Sequence, residues 1–200
     1  MRIVPFLIFS LLATTALAAE DGSTNHYTVK HLVANKAIYK ADARDSKMIN
    51  AWGIAIRPAG KGGHFWVTAK DYSFEYVGDV HAADDPAVHK LHTDKLSHVK
   101  LPVGNADNVA TGVVFNDSTE NFVITQKAEG AEPITAPAKF LFASDGGIIS
   151  AWTERKKDDG SFDRPEESIS VIDRSKEGSQ FFGLAIDHDY TRIYAADFGA

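Results

Sequence analysis

The sequence predicts an all-β protein of the β-propeller class, and three observations carry that expectation. One pattern, a glycine leading an apolar run, occurs three times: Trp52-Gly53-Ile54-Ala55-Ile56, Thr111-Gly112-Val113-Val114-Phe115 and Phe182-Gly183-Leu184-Ala185-Ile186. Each copy is followed by a second β-rich run, Phe65-Trp66-Val67-Thr68, Phe122-Val123-Ile124-Thr125 and Ile193-Tyr194-Ala195-Ala196, which reads as the strand paired with it. The glycines recur at intervals of 59 and 71 residues, a supersecondary repeat with inserted loops. Repeats of this kind built from strands are the mark of propeller blades. Three units amount to about three blades, whereas such rings close with about 4 to 8. The chain is therefore expected to be the N-terminal part of a longer protein or to close by oligomerising, and truncation is the favoured route.

The elements follow in order. Arg2, an apolar stretch over residues 3–12 and Ala16-Leu17-Ala18 form the pattern of a secretory signal peptide over residues 1–18. The apolar stretch is shorter than the roughly 20 residues a membrane span needs, so no transmembrane segment is expected in the mature chain. Residues 19–47 read as a leader with one strand, His26-Tyr27-Thr28-Val29-Lys30-His31-Leu32-Val33, and a connecting segment that has room for one helical turn. Residues 48–200 hold the repeats. In the first unit, residues 73–77 and 96–101 are the expected third and fourth strands, separated by a histidine- and aspartate-rich surface insertion over residues 79–94. In the second, Phe140-Leu141-Phe142-Ala143 and Ile148-Ile149-Ser150-Ala151-Trp152 flank Asp145-Gly146-Gly147, the clearest hairpin in the chain. Spacing leaves open whether that hairpin supplies outer strands of the second blade or inner strands of another. Residues 154–167, charged and rich in turn formers, are expected to face solvent, and residues 168–173 form a further strand.

Composition narrows the partners. With 27 acidic and 21 basic residues the chain carries a formal charge of −6, which argues against nucleic acid or an anionic membrane as partner. It has no cysteine, so an exported domain must be held by core burial alone. Export to the periplasm or the extracellular space follows from the signal pattern.

Candidate functional residues lie where a propeller keeps its ligand sites, at one end of the inner strands. If the glycine-led runs are inner strands, Asn50, Thr111 and Phe182 stand at their entrances, while Asp71, Gln126 and Asp197 follow the second strands. Asn50, Asp71, Asn116 and Asp197 offer oxygen ligands suited to Ca²⁺, set against their commoner role as turn caps. His81, His89 and His92, with Asp84 and Asp85, form the densest cluster of metal-ligand types, suited to Zn²⁺ or Cu²⁺, set against a solvated loop. Trp52, Trp66 and Trp152 are read as packing between blades, with a sugar-binding surface as the alternative. Gly53, Gly112 and Gly183 are read as the places where neighbouring backbones come close. No Gly-x-Ser-x-Gly elbow or phosphate loop is present.

The chain resembles a family of exported bacterial proteins of unknown function that look like six-bladed propellers related to the NHL-repeat and gluconolactonase group. The resemblance is carried by Asn50-Ala51-Trp52-Gly53-Ile54-Ala55, Phe65-Trp66-Val67, Thr111-Gly112-Val113-Val114-Phe115-Asn116, residues 140–152, Gly183-Leu184-Ala185 and Tyr194-Ala195-Ala196-Asp197-Phe198. Ala51 departs from the family's usual proline. The resemblance implies a six-bladed ring and brings no catalytic residues. Gluconolactonase-like enzymes would start from a metal-binding glutamate where this chain has Asn50, which counts against that chemistry. The expected function is a scaffold that binds a small molecule, glycan or protein at Asn50, Asp71, Thr111, Asn116 and Asp197; the alternative is a metal-dependent hydrolase of lactones or esters.

Overall fold

The computed structural model describes residues 29, 31–58, 64–77, 91, 93, 95–128 and 130–199. The signal-peptide pattern, most of the 79–94 insertion and His81, His89 and His92 lie outside the described residues. The described chain is all-β, and none of its helices is long and apolar enough to cross a membrane.

In chain order the strands are β1 (Val33–Ala34), β2 (Ala43–Arg44), β3 (Ala51–Ile56), β4 (His64–Ala69), β5 (Tyr72–Val77), β6 (His98–Lys100), β7 (Ala110–Phe115) and β8 (Val123–Ala128). There follow β9 (Ala131–Pro137), β10 (Phe140–Ser144), β11 (Ile148–Trp152), β12 (Arg155–Lys156), β13 (Phe162–Asp163), β14 (Ile169–Asp173), β15 (Phe181–Ile186) and β16 (Ile193–Asp197). Three antiparallel sheets carry the repeats: a first in the order β3-β4-β5-β6, a second in the order β7-β10-β11-β14, and a third formed by β15 and β16. The glycine-led run opens each sheet. Of the leader's expected strand, residues 26–28 and 30 lie outside the described residues; β1 at Val33–Ala34 pairs with β2 in parallel, and one 3₁₀ turn spans Ala37–Tyr39.

The second unit corrects the sequence reading. The partner of β7 is β10, with Val113 opposite Phe142 and Phe115 opposite Phe140; the Val123 run pairs instead with β9 as a separate two-stranded hairpin. Burial explains the choice. Every residue of β10 and β11 is buried, as strands with both faces covered must be apolar throughout, whereas Val123 is exposed. The clearest hairpin of the sequence thus forms the two middle strands of the second sheet. Residues 154–167 face solvent over 156–162, where the short β12–β13 hairpin turns, but Glu154 and Pro165 are buried, a second departure from the sequence reading.

Packing between sheets follows the strand alternation. Ala55 and Trp66 on the leading face of the first sheet join Val113, Phe140, Phe142 and Trp152 on the trailing face of the second in one core cluster. The Trp66 ring stacks on Phe140 at 4.1 Å and lies 5.0 Å from Trp152. On the leading face of the second sheet, Val114, Leu141 and Ile149 meet Leu184 and Ile193 of the third.

Three inner strands come together at their glycines. A Cβ built on Gly53 would lie 2.9 Å from Val113 N and 3.0 Å from Gly112 C, and one on Gly112 would lie 2.8 Å from Leu184 N and 2.9 Å from Gly183 C. Only a residue without a side chain allows that approach. Each inner strand also carries one extra residue there, a bulge between Ala51 and Ile54, opposite Ala143 and Ser144, and between Phe182 and Leu184. Thr68 repairs the first: its Oγ1 accepts the Gly53 N–H at 2.9 Å.

Gly112→Ala is therefore expected to lower unfolding free energy by about 3 kcal/mol, since backbone on both sides must move. Gly183→Ala, whose Cβ would meet nothing within 4 Å, is expected to cost only about 1 to 2 kcal/mol for its positive φ. Urea denaturation of both variants checks the difference, and equal losses would refute the close-approach account.

Candidate functional site

The three inner strands begin at the same end of the molecule. Ala110 N donates to Lys70 O at 2.6 Å, which ties the start of β7 to the turn beside the start of β3. The Thr111 hydroxyl donates to Phe181 O at 2.5 Å and lies 3.3 Å from Ala143 O, which ties β7 to the start of β15. Asn50, with φ of 55°, Asp71 and Asp197 stand at this same end.

A carboxylate holds the entrance of each of the last two sheets. Asp145, directly after β10, accepts the Val109 N–H at 2.7 Å just ahead of β7. Asp197, at the end of β16, accepts the Gln180 N–H at 2.9 Å just ahead of β15 and the Gly199 N–H at 3.0 Å. Those bonds, the one from Gln180 first and then the Ser179 hydroxyl, hold the Asp197 carboxyl below the ordinary range. The turn-cap role thus accounts for Asp197. Asp71 occupies the corresponding turn of the first sheet, where its carbonyl accepts the Leu101 N–H at 2.8 Å. Asp145 is the position the sequence reading missed: taking the Val123 run for the second strand put Gln126 in its place. Gln126 is buried between Glu167 O, to which its Nε2 donates, and Thr153 N, which donates to Oε1 at 2.9 Å.

Two of the predicted binding residues are spent on structure. Thr111 is buried with its hydroxyl engaged as above. Asn116 sits at the far end of β7 from Thr111, fully buried, donating to Ala138 O at 2.8 Å and accepting from Ser118 N at 3.0 Å. Among the described residues no group of three or more histidine, aspartate or glutamate side chains could hold a metal ion.

What gathers at the entrance end is aromatic. Trp52, read from sequence as core, is 54% exposed, while Trp66 and Trp152 are fully buried. Trp52 is exposed along β3 together with Ile54 and Ile56, while Ala55 is buried. Its ring meets Phe182 edge-on at 5.7 Å, and Phe182 meets Phe198, 71% exposed, edge-on at 5.5 Å. Phe198 N donates to Gln180 O at 2.9 Å, and Gln180 lines an adjoining open cleft of about 570 Å³. Asn105, Asn108, Asp145, Asp173 and Ser175 are among its other walls. The aromatic cluster is thus joined through the backbone of Gln180 to a cleft of amide, hydroxyl and carboxylate groups, none of whose walls is aromatic.

A second polar constellation lies between the first and second sheets, towards the other end of β3. Arg57 approaches Glu154 at 2.6 Å, Arg164 Nε donates to Glu154 at 2.9 Å and reaches to 3.9 Å from Glu75, and Glu75 contacts His64. Two buried carboxylates facing two guanidiniums balance their charges, so this network is an inter-sheet clamp.

Comparison with protein-family models, with curated proteins and with solved structures returns no match for this chain.

Two expectations follow. Glu154→Ala strands Arg57 and Arg164 in a poorly hydrated site and is expected to cost about 3 to 5 kcal/mol, read from urea denaturation. Asp197→Ala is expected to destabilise the protein at neutral pH and to speed hydrogen exchange of the Gln180 and Gly199 amides. Because the folded carboxyl titrates below the unfolded one, that contribution is full above the ordinary aspartate pKa of about 4 and is lost as pH falls through the folded value. A stability difference between variant and parent that stays constant from neutral pH to about pH 2 would contradict it.

Proposed function

We propose that the chain is an exported β-propeller segment that works as a ligand-binding scaffold, its site at the mouth where the inner strands begin. The propeller reading is supported by the repeated sheet order, in which the glycine-led strand comes first, and by the repeated glycine contact between successive first strands. Export, to the periplasm or beyond the cell, is supported by the signal pattern of residues 1–18.

The observation that carries the binding role is the aromatic group of exposed Trp52 and Phe198 on either side of half-buried Phe182, next to a polar cleft. Solvent-exposed aromatics in contact with one another are costly unless something covers them, and flat rings accept ligands with a flat apolar face. Cleft groups such as Asn105, Asn108 and Ser175 suit hydroxyl-rich partners. A ligand that combines both features is a glycan, whose sugar rings present a C–H face and a rim of hydroxyls.

Of three tryptophans only Trp52 is exposed, so ligand-induced change in tryptophan emission reports on this site. Titration against a panel of soluble oligosaccharides is expected to give saturable quenching with at least one of them. Trp52→Ala and Phe198→Ala are each expected to weaken that binding about tenfold or more, a loss of about 1.4 kcal/mol or more, with thermal stability little changed. No response to any glycan, or full affinity in both variants by calorimetry, would remove the proposal.

A further inference from the structure

The polar cleft is bounded by the second sheet and by the links on either side of it. One wall is the link from β6 to β7, with Asn105 and Asn108, and the other is the link from β14 to β15, with Ser175 and Gln180. The turn after β10 touches both, and two of its glycines set the width. A Cβ on Gly146 would lie 2.0 Å from Val103 O of the first link, and one on Gly147 would lie 2.7 Å from Ser179 O of the second. Backbone meets backbone on each side, so both walls are held in place by the turn.

The charge of that cleft has one sign. Asp145 and Asp173 are its ionisable walls among the described residues, and no lysine, arginine or histidine joins them. Arg174 and Lys176 belong to the second link but lie outside the walls, and Arg174 Nε is 3.5 Å from Glu177. Each aspartate is pinned through one oxygen. Asp145 Oδ1 accepts the Val109 N–H at 2.7 Å, and Asp173 Oδ1 accepts the Ser175 N–H at 3.0 Å and the Ser175 hydroxyl at 2.6 Å. The Ser175 hydroxyl first, and then its N–H, hold the Asp173 carboxyl below the ordinary range, with Lys176 adding the least, so it is ionised at neutral pH. The second oxygen of each carboxylate is left to a ligand.

We infer that this cleft selects uncharged glycans and rejects acidic ones, with Asp145 and Asp173 as the residues that set the selection. The selection rests on the glycan-binding role of the mouth. A sugar hydroxyl donates to a carboxylate oxygen and accepts from the side-chain amide of Asn105 or Asn108, so it satisfies both kinds of wall. A uronate or sulfate group has acceptor oxygens only and a negative charge. Set against Asp145 or Asp173 it has no proton to share and is repelled. Because one oxygen of each aspartate is pinned and the walls are fixed by the turn, the repulsion is not relieved by rearrangement. Discrimination of this kind comes from the repulsive element and not from an added contact.

Calorimetry on the full chain tests this with two ligands, a neutral oligosaccharide that quenches Trp52 emission and the same oligosaccharide oxidised at its primary hydroxyls to carboxylates. The neutral form is expected to bind at least about tenfold more tightly at low salt. That ratio is expected to shrink in about 1 M salt, where the screening length is about 3 Å against about 10 Å at 0.1 M. Asp145→Asn and Asp173→Asn, with folding followed by circular dichroism, are each expected to lower the ratio, since Asn keeps the oxygen that accepts the Val109 or Ser175 N–H. A merely structural loss weakens both ligands alike and leaves the ratio in place. Equal affinity for the two forms, a preference for the acidic form, a ratio unchanged by salt, or one unchanged in both variants would overturn the selection and leave the binding role standing. If no neutral oligosaccharide quenches Trp52, the binding role itself falls and the selection falls with it.

Discussion

The close approach of three inner strands at Gly53, Gly112 and Gly183 is the constraint from which the rest of the structure follows. Sheets packed through side chains stand about 10 Å apart. At the glycines backbone faces backbone, so successive sheets converge at their first strands and diverge at their outer ones. The wider outer space takes the large residues: Trp66, Phe140, Phe142 and Trp152 fill it between the first and second sheets. A side chain at Gly112 would undo both interfaces together, because β7 is the strand that touches β3 on one side and β15 on the other.

The same approach imposes polar demands that particular side chains meet. An extra residue at each glycine interrupts the ladder and frees backbone groups that must be bonded. Thr68 takes up the Gly53 N–H, and Thr111 links β10 and β15 across β7. Asp145 and Asp197 hold the N–H groups just ahead of the second and third inner strands. At the outer side the clamp of Arg57, Glu154, Arg164 and Glu75 joins the first sheet to the loop after β11, with Trp152 Nε1 donating to Pro165 O at 2.7 Å to hold the chain after β13.

How much of this was legible in the sequence depended on whether the signal was local. The inner strands were legible because a glycine followed by alternating apolar residues is a short pattern that only a few conformations satisfy. The hairpin around Asp145-Gly146-Gly147 was legible for the same reason, and Gly147 does take a φ of 74°. The partner of β7 was not. The Val123 run lies at the right distance with the right residue types, and what sets it aside is that β10 alone can be buried on both faces. That error hid Asp145 and misplaced Gln126. Glu154 was unreadable because Arg57, one of the two arginines that face it, is distant in sequence, and Trp52 because its exposure, shared with Ile54 and Ile56, depends on what packs against β3 and not on residue type.

The candidate site is a product of the same convergence. With β7 between them, β3 and β15 would stand about 20 Å apart if the sheets were stacked flat at ordinary spacing. The two glycine contacts shorten that distance, and Trp52 and Phe182 meet with ring centroids 5.7 Å apart. The residue just ahead of the glycine is aromatic in the first and third strands, and in the second it is a threonine whose hydroxyl holds the strands together. Glycine brings the backbones in, and the aromatic rings at either side of Thr111 meet at the end where the three strands begin. Packing and the aromatic cluster thus draw on the same short stretches of β3 and β15, so a substitution that loosens the glycine contacts also disperses the cluster.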